Sequence, residues 1–233
     1  MAVRASLRHE LKYYISYGEY THLSRTLDYV LQRDPAGDEY NEYAIRSLYF
    51  DTIFDDFLHE KISGVGNRRK YRLRIYRYSD KDIKLECKAK RGDLISKESL
   101  LIPRDLAEQI IAGDPTGLER AAVPLLGELY RLMRTRLLHP VVIVDYIREA
   151  YIHPAEDVRI TFDKQLHTGL GRLDMFNPRL PTVPVLDHNL VVMEVKFNRV
   201  LPDHIRALLH GISAQRSAVS KYVLCRRFEE KEF

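Results

Sequence analysis

Residues 68–102 read RRKYRLRIYRYSDKDIKLECKAKRGDLISKESLLI. From Arg72 onward, polar and apolar residues alternate. Arg72, Arg74 and Tyr76 are interleaved with Leu73 and Ile75, and Lys84, Glu86, Lys88 and Lys90 with Leu85, Cys87 and Ala89. A period of two marks strands with one face buried, because successive side chains leave a strand on opposite sides. Asp80-Lys81-Asp82 and Arg91-Gly92-Asp93 have turn composition. The stretch therefore predicts an antiparallel meander joined by hairpins. The Arg68-Arg69-Lys70 run in front of it reads as a solvated junction between loop and strand, and Cys87, off the charged face, as an inert core residue.

Upstream, Arg4–Ser16 predicts a strand with Arg8, Glu10 and Lys12 at alternate positions. Gly18 opens an amphipathic helix bearing Tyr20, Leu23, Leu27, Val30 and Leu31, which residues 34–38 (DPAGD) stop. Ala44–Asp51 predicts a strand and Phe54–Ile62 a short helix. Downstream, Pro103–Ile111 and most of Gly117–Leu138 read as helix, Pro140–Ile152 and Asp157–Lys164 as strands, and the proline-broken Gly169–Asp187 as a loop. Leu190–Phe197 closes the strands, and Pro202–His210 and Ser217–Phe228 are short helices. Strands and inserted helices without βαβ alternation predict an α+β fold in one domain spanning 1–233, built on an antiparallel sheet or barrel.

The chain has 233 residues, 45% of them apolar and 30% charged, which is ample for a core of its own. Its two cysteines, Cys87 and Cys225, are isolated. That spacing gives neither a disulfide framework nor a zinc knuckle, and it suits a reducing compartment. The first residues (MAVRASLRHELKYY) lack the apolar stretch of a signal peptide, and no apolar run approaches the length of a bilayer span. A cytoplasmic location is the expectation. The nine histidines show no ligand-pair spacing, and Gly64-Val65-Gly66 belongs to no phosphate-loop motif.

A balance of 37 basic to 33 acidic residues gives a net charge of only +4. That average gives no reason to expect a nucleic-acid partner. The placement of the charges says more. Arg8/Glu10/Lys12, Arg72/Arg74, Lys84/Glu86/Lys88 and Glu194/Lys196 each point to one side of a strand, and Arg148 and Arg159 sit in two further strands. A solvated outer face explains any one of these pairs. If the sheet closes, however, one face of every strand shares an interior, and a basic interior demands an anion. Arginine forks and lysine point charges suit phosphate oxygens, and Glu10, Glu86 and Glu194 would be minority acids able to hold a divalent cation.

Several short stretches carry a family likeness: R-x-E-x-K-Y at Arg8–Tyr13, RSLYFDT at Arg46–Thr52, Arg72-x-Arg74, LECK at Leu85–Lys88 and SKE at Ser96–Glu98. They continue with DYIR at Asp145–Arg148, VRITFD at Val158–Asp163, MEVK at Met193–Lys196 and SKY at Ser220–Tyr222. In this order, from about residue 8 to 225, the chain resembles the VTC (polyphosphate polymerase) domains of the triphosphate tunnel metalloenzyme, or CYTH-like, group. The resemblance implies an antiparallel β-barrel forming a basic tunnel, with helices packed outside. It assigns phosphate coordination to Lys12, Arg72, Arg74, Lys88, Lys97, Arg148, Arg159, Lys196 and Lys221, with Lys61 as a further basic residue. Tyr146 and Ser220 become tunnel hydroxyls, and Glu194 a ligand of Mn²⁺ or Mg²⁺. Arg8 stands where CYTH proteins carry a glutamate, and Ala218 where polymerase relatives can carry a lysine.

Phosphoryl transfer asks a protein mainly for positioning and charge neutralisation, which fits a chain without a Ser/His/Asp or Cys/His set. Three readings stay open. The first is an ATP-dependent polyphosphate polymerase, the second a metal-dependent triphosphatase, and the third a non-catalytic polyphosphate-binding module. The expected ligands are ATP, triphosphate or polyphosphate.

Overall fold

The computed structural model describes residues 9–92, 94–154, 157–210 and 217–232; Arg4–Arg8 and Asp93 of the predicted elements lie outside them. The chain begins with β1 (His9–Ser16), α1 (Tyr17–Leu27), β2 (Gln32–Arg33), β3 (Glu42–Asp51) and α2 (Asp56–Ile62). The quoted stretch supplies β4 (Asn67–Tyr76), β5 (Ser79–Arg91) and β6 (Leu94–Ile102). Then come α3 (Arg104–Ile111), α4 (Pro124–Arg136), β7 (His139–Ile152), β8 (Arg159–Thr168), β9 (Val183–Pro184), β10 (Leu190–Phe197), α5 (Asp203–His210) and α6 (Lys221–Glu232).

The sheet is antiparallel throughout its pairings and runs β1-β10-β8-β7-β3-β4-β5-β6, with the two-residue β2 and β9 attached to β7 and β8. It is open: among the described residues no ladder joins β1 to β6, so the expected closed barrel is not formed by backbone pairing. The sheet nevertheless curls until its ends face one another. Lys88 Nζ of β5 donates to Glu10 Oε2 of β1 at 2.7 Å, across a gap that five strands separate along the ladder.

Local sequence accounts for the main elements. Ser16 caps α1 by accepting from the Glu19 amide, while Glu19 Oε2 accepts from the Ser16 amide at 2.8 Å, a capping box. Tyr20, Leu23 and Leu27 of α1 are buried; Val30 falls beyond the helix end and is exposed. The β4–β5 turn differs from the expectation. It lies at Arg77-Tyr78, both with left-handed φ (52° and 56°), and Asp80-Lys81-Asp82 belongs to β5. Two successive left-handed residues match the right-handed twist of a hairpin, a conformation composition usually announces with Asn or Gly. Here tertiary contacts hold it. Arg77 donates to the Ala36 carbonyl, and the Arg46 guanidinium lies 4.7 Å over the Tyr78 ring. Likewise Pro124 delays α4 until after a short 3₁₀ turn at Thr116–Leu118.

The period-two pattern sorts the sheet faces. Tyr71, Leu73, Ile75, Leu85 and Cys87 pack outward with α3 and α4, and α1 and α5 cover the convex side of β8 and β10. One helix departs from the expectation of helices outside. Tyr222 and Cys225 of α6 share a cluster with Ile45, Tyr49, Val142, Val144 and Tyr146, the concave residues of β3 and β7. The helix is pinned there: Tyr222 donates its hydroxyl to Asp51, and Arg226 bonds Asp55 at 2.8 Å. Asp51 also accepts from the amides of Phe57 and Leu58 at the start of α2. Thus α2 and α6 are fixed together at one end of the concave face.

Candidate active site: a basic cleft on the concave face

The concave face encloses a cleft of about 440 Å³. Its walls follow from the strand period. β4 contributes Arg68, Lys70, Arg72 and Arg74; β5, Lys88 and Lys90; β1, Glu10 and Lys12; β10, Glu194 and Lys196; β7, Tyr146 and Arg148. Lys61 of α2 and residues 217–222 at the start of α6 complete it. Eleven of its lining residues are basic and two acidic, so the chain's 37 basic and 33 acidic residues leave 26 and 31 for everything else. The protein outside the cleft is net acidic.

The cations are held in place by a few deeply buried acceptors. Arg148 makes a two-pronged contact with Asp163 (2.6 and 2.8 Å), and Lys221 Nζ reaches the same carboxylate at 2.6 Å. Glu194 stands 2.9 Å from Lys196 Nζ, 3.1 Å from Lys12 Nζ and 3.7 Å from Lys221 Nζ. Arg74 donates to Ser47 Oγ at 3.1 Å and the Tyr146 hydroxyl at 3.2 Å; Arg72 donates to Glu86 and to the Tyr49 hydroxyl, both at 2.7 Å. Such contacts fix guanidinium orientation before any ligand arrives, so less ordering cost falls on binding.

The acids stay ionised because of their neighbours. Burial alone would raise the Glu10 carboxyl, but Lys12 and Lys88 overcome it and bring it down to about 2. Glu194 also lies well below the carboxylate range: Lys12, Lys196, Lys221 and Arg148 outweigh its burial. Four lysines of the cleft are instead pushed toward their neutral form, Lys61 and Lys196 by burial among them. Burial lowers Lys88 to about 8 despite Glu10, with Lys12 and Lys196 adding repulsion. Lys70 is lowered well below the lysine range by burial and by Lys61, Lys12, Arg68 and Lys88, while its Nζ donates to Ser220 Oγ at 3.0 Å. A polyanion beside these amines restores their charged form, so its binding at about pH 8 takes up protons. Calorimetric titration in two buffers of different ionisation heat measures this, with net uptake expected; net release would contradict the charge arrangement.

The structure brings most of the sequence-derived candidates together. Lys12, Lys61, Arg72, Arg74, Lys88, Tyr146, Arg148, Lys196, Ser220, Lys221, Glu10 and Glu194 all line the cleft. Three others do not. Arg159 lies on the right face of β8, but its guanidinium is held by Asp34 and by the Tyr43 hydroxyl at 2.9 Å. Glu86 is sealed behind Arg72 and Lys97, and Lys97 turns its ammonium to Glu86 at 2.9 Å. Glu86 therefore does not join Glu10 and Glu194 as a third acid of the cleft. The residues passed over are Arg68, Lys70, Lys90, Tyr49 and the anchoring Asp163. The period that singles out Arg72 and Arg74 also runs back through Lys70 and Arg68, so the signal for those two was present.

Three solved structures share the fold. A Hippeastrum protein described as an adenylyl cyclase with a dominant triphosphatase activity superposes with a TM-score of 0.57 at 17% identity, covering 95% of this chain and 96% of that one. An adenylate cyclase-type protein of Bacillus halodurans gives 0.53 at 11% identity over 89% and 87%. A Pyrococcus horikoshii protein gives 0.50 at 15% identity over 95% and 99%. At these identities the likeness is one of fold. No curated protein matches the sequence. The VTC domain family model matches residues 7–228, a span that takes in every residue lining the cleft, and the chain belongs to that family.

Proposed function

We propose that the cleft binds the phosphates of ATP and of a growing polyphosphate chain and transfers phosphoryl groups between them, as an ATP-dependent polyphosphate polymerase. The observation that carries this reading is eleven basic against two acidic residues around one cleft in a family member whose other residues sum to a net negative charge. A linear polyanion neutralises many point charges at once, and no side-chain nucleophile is needed. The basic row Arg68-Lys70-Arg72-Arg74 runs about 20 Å along β4, at about 3.3 Å per residue, longer than one triphosphate needs. This length favours a chain ligand over triphosphate hydrolysis alone.

In this reading the cleft acts as a tunnel. Arg74, Arg148, Lys196 and Lys221 hold the γ-phosphate of ATP, and the terminal oxygen of the polyphosphate attacks it in line, releasing ADP and a chain one unit longer. A divalent cation, Mn²⁺ or Mg²⁺, suits Glu10 and Glu194. Among the described residues no group of three or more His, Cys, Asp or Glu side chains is arranged for a metal. Two carboxylates do face the cleft, however, and the buried Glu10 Oε1 is engaged only by the ammonium of Lys12, at 3.2 Å. That donor set fits a hard cation which takes its remaining ligands from phosphate and water. When bound, the ion neutralises phosphate charge.

The test is to incubate the protein with ATP and Mn²⁺ and resolve the products by electrophoresis. Long polyphosphate is the expected result. Orthophosphate in step with ATP consumed would instead make the protein a triphosphatase, and binding without turnover a binding module. Glu194→Gln is expected to lower turnover by roughly 100-fold while leaving phosphate affinity within a few-fold. Equal losses of both would contradict the metal role of Glu194.

A further inference from the structure

A second cavity, about 700 Å³, opens on the other side of the β4–β5 hairpin end, between α2 and α4. Its walls include Arg69, Arg91 and Arg131, and it shares Arg68 and Lys90 with the cleft. Two residues lining both cavities make them neighbours across the end of one strand pair, where the ladder stops at Asn67 opposite Arg91. Five of its lining residues are basic and two, Glu60 and Glu128, acidic. Glu128 is already engaged by Arg69, with Arg131 3.9 Å away. The apolar side chains behind these charges offer little to a ligand: Phe57 and Leu132 are each 6% exposed and Tyr71 is fully buried. A nucleobase would find no open ring to stack on, whereas an anion meets guanidinium and ammonium groups.

We propose that this outer cavity is a second polyanion subsite, which grips the part of a linear inorganic polyphosphate that extends past Arg68 and Lys90 out of the cleft. The inference rests on the polyphosphate reading of the cleft and adds a determinant of chain length to it. A short triphosphate is held by the cleft alone. A long chain engages both cavities, and the second contact is gained as an intramolecular event, which multiplies affinity without altering the first. The cleft residues then set which chemical group binds, and the outer arginines set how long a chain is retained.

The experiment compares tripolyphosphate with a long linear polyphosphate on the wild type, on the Arg91→Gln/Arg131→Gln double variant and on Arg74→Ala, by titration at several salt concentrations. Both outer arginines are exposed, so the double variant leaves the core untouched. The expected result is unchanged tripolyphosphate affinity in the double variant and roughly 10-fold weaker long-chain affinity. Its salt slope for the long chain should fall by about 1 to 2, at nearly one released counterion per lost contact. Wild-type affinity for the long chain in the double variant, or an equal loss for both ligands, would overturn the outer subsite. So would a selective loss of ATP affinity over tripolyphosphate, which would make the cavity a nucleoside site. Failure of the cleft reading is seen separately, as tripolyphosphate affinity that Arg74→Ala leaves intact.

Discussion

Replacing Arg74 with alanine is expected to weaken tripolyphosphate binding by roughly 10- to 100-fold, since a hydrogen bond to a charged group is worth about 1.5–3 kcal/mol. The residue is 7% exposed and its guanidinium is aimed by Ser47 and Tyr146, so it meets a phosphate oxygen already oriented and largely free of water. The fold should survive, because Glu86 keeps Arg72 at 2.6 Å and Lys97 at 2.9 Å after Arg74, at 3.9 Å, is removed. Wild-type affinity should itself decline steeply with salt, as for any ligand that displaces counterions from a row of cations. Arg159→Ala is the contrast: its guanidinium is occupied by Asp34 and Tyr43, and only a small change is expected. Calorimetry on the purified variants measures both. Equal affinities for wild type and Arg74→Ala would remove the phosphate role from the cleft.

The largest stability effect is expected at Asp163, whose side chain is inaccessible to solvent and anchors both Arg148 and Lys221. Asp163→Asn leaves two buried cations short of their acid. The cost should be about 3 kcal/mol, near the low end for a broken buried pair, because Glu194 remains 3.7 Å from Lys221. For a domain of this size that lowers Tm by about 6–12 °C. The carboxyl is held below its ordinary value, with Arg148 and Lys221 overcoming the effect of burial. Its contribution is therefore fully present above the ordinary carboxylate pKa and is lost as pH falls through the folded-state value, so the variant and the wild type should converge in acid. Tripolyphosphate should raise the Tm of the variant more than that of the wild type, because the ligand supplies the anion that Asp163 no longer does. Thermal melts with and without ligand report this; a smaller rise in the variant would show that Asp163 assists the ligand instead of standing in for it.

How far these residues were legible follows from what a period of two can say. It fixes which face a side chain takes, and on that basis Arg72, Arg74, Lys88 and Lys196 were placed on one surface correctly. It says nothing about position along that surface. Glu86 and Lys97 share the face yet close on one another, and Arg159 is captured by Asp34, a turn residue more than 120 positions earlier. The phase of a pattern can also be lost at its ends: Arg68 and Lys70 continue the row of Arg72, but with Arg69 between them the three basic residues read as a solvated junction between loop and strand. Composition misplaced the β4–β5 turn for a related reason. Arg77 and Tyr78 are poor residues for left-handed backbone, and what holds them there is packing from distant segments. The inward position of α6 was equally out of reach, since it depends on Asp51 and Asp55 bonding Tyr222 and Arg226 from the far side of the sequence.

The placement of charge sharpened most. A net +4 looked uninformative, but the fold moves eleven basic residues to one concave face and leaves the rest of the chain with a net negative count. The buried acids Asp163, Glu194 and Glu10 hold those cations apart and aimed in the free protein, and each cation so held is a contact a polyanion can take over. The outer arginines on β5 and α4 extend the same logic past the end of the sheet.

The most direct test of this account is a crystal structure of the protein with tripolyphosphate and Mn²⁺, using the anomalous signal of the metal. The account predicts ordered phosphates in contact with Arg74, Arg148, Lys196 and Lys221, and manganese beside Glu194 and Glu10. Phosphates bound elsewhere with the cleft lacking density, or manganese at Glu86, would contradict it.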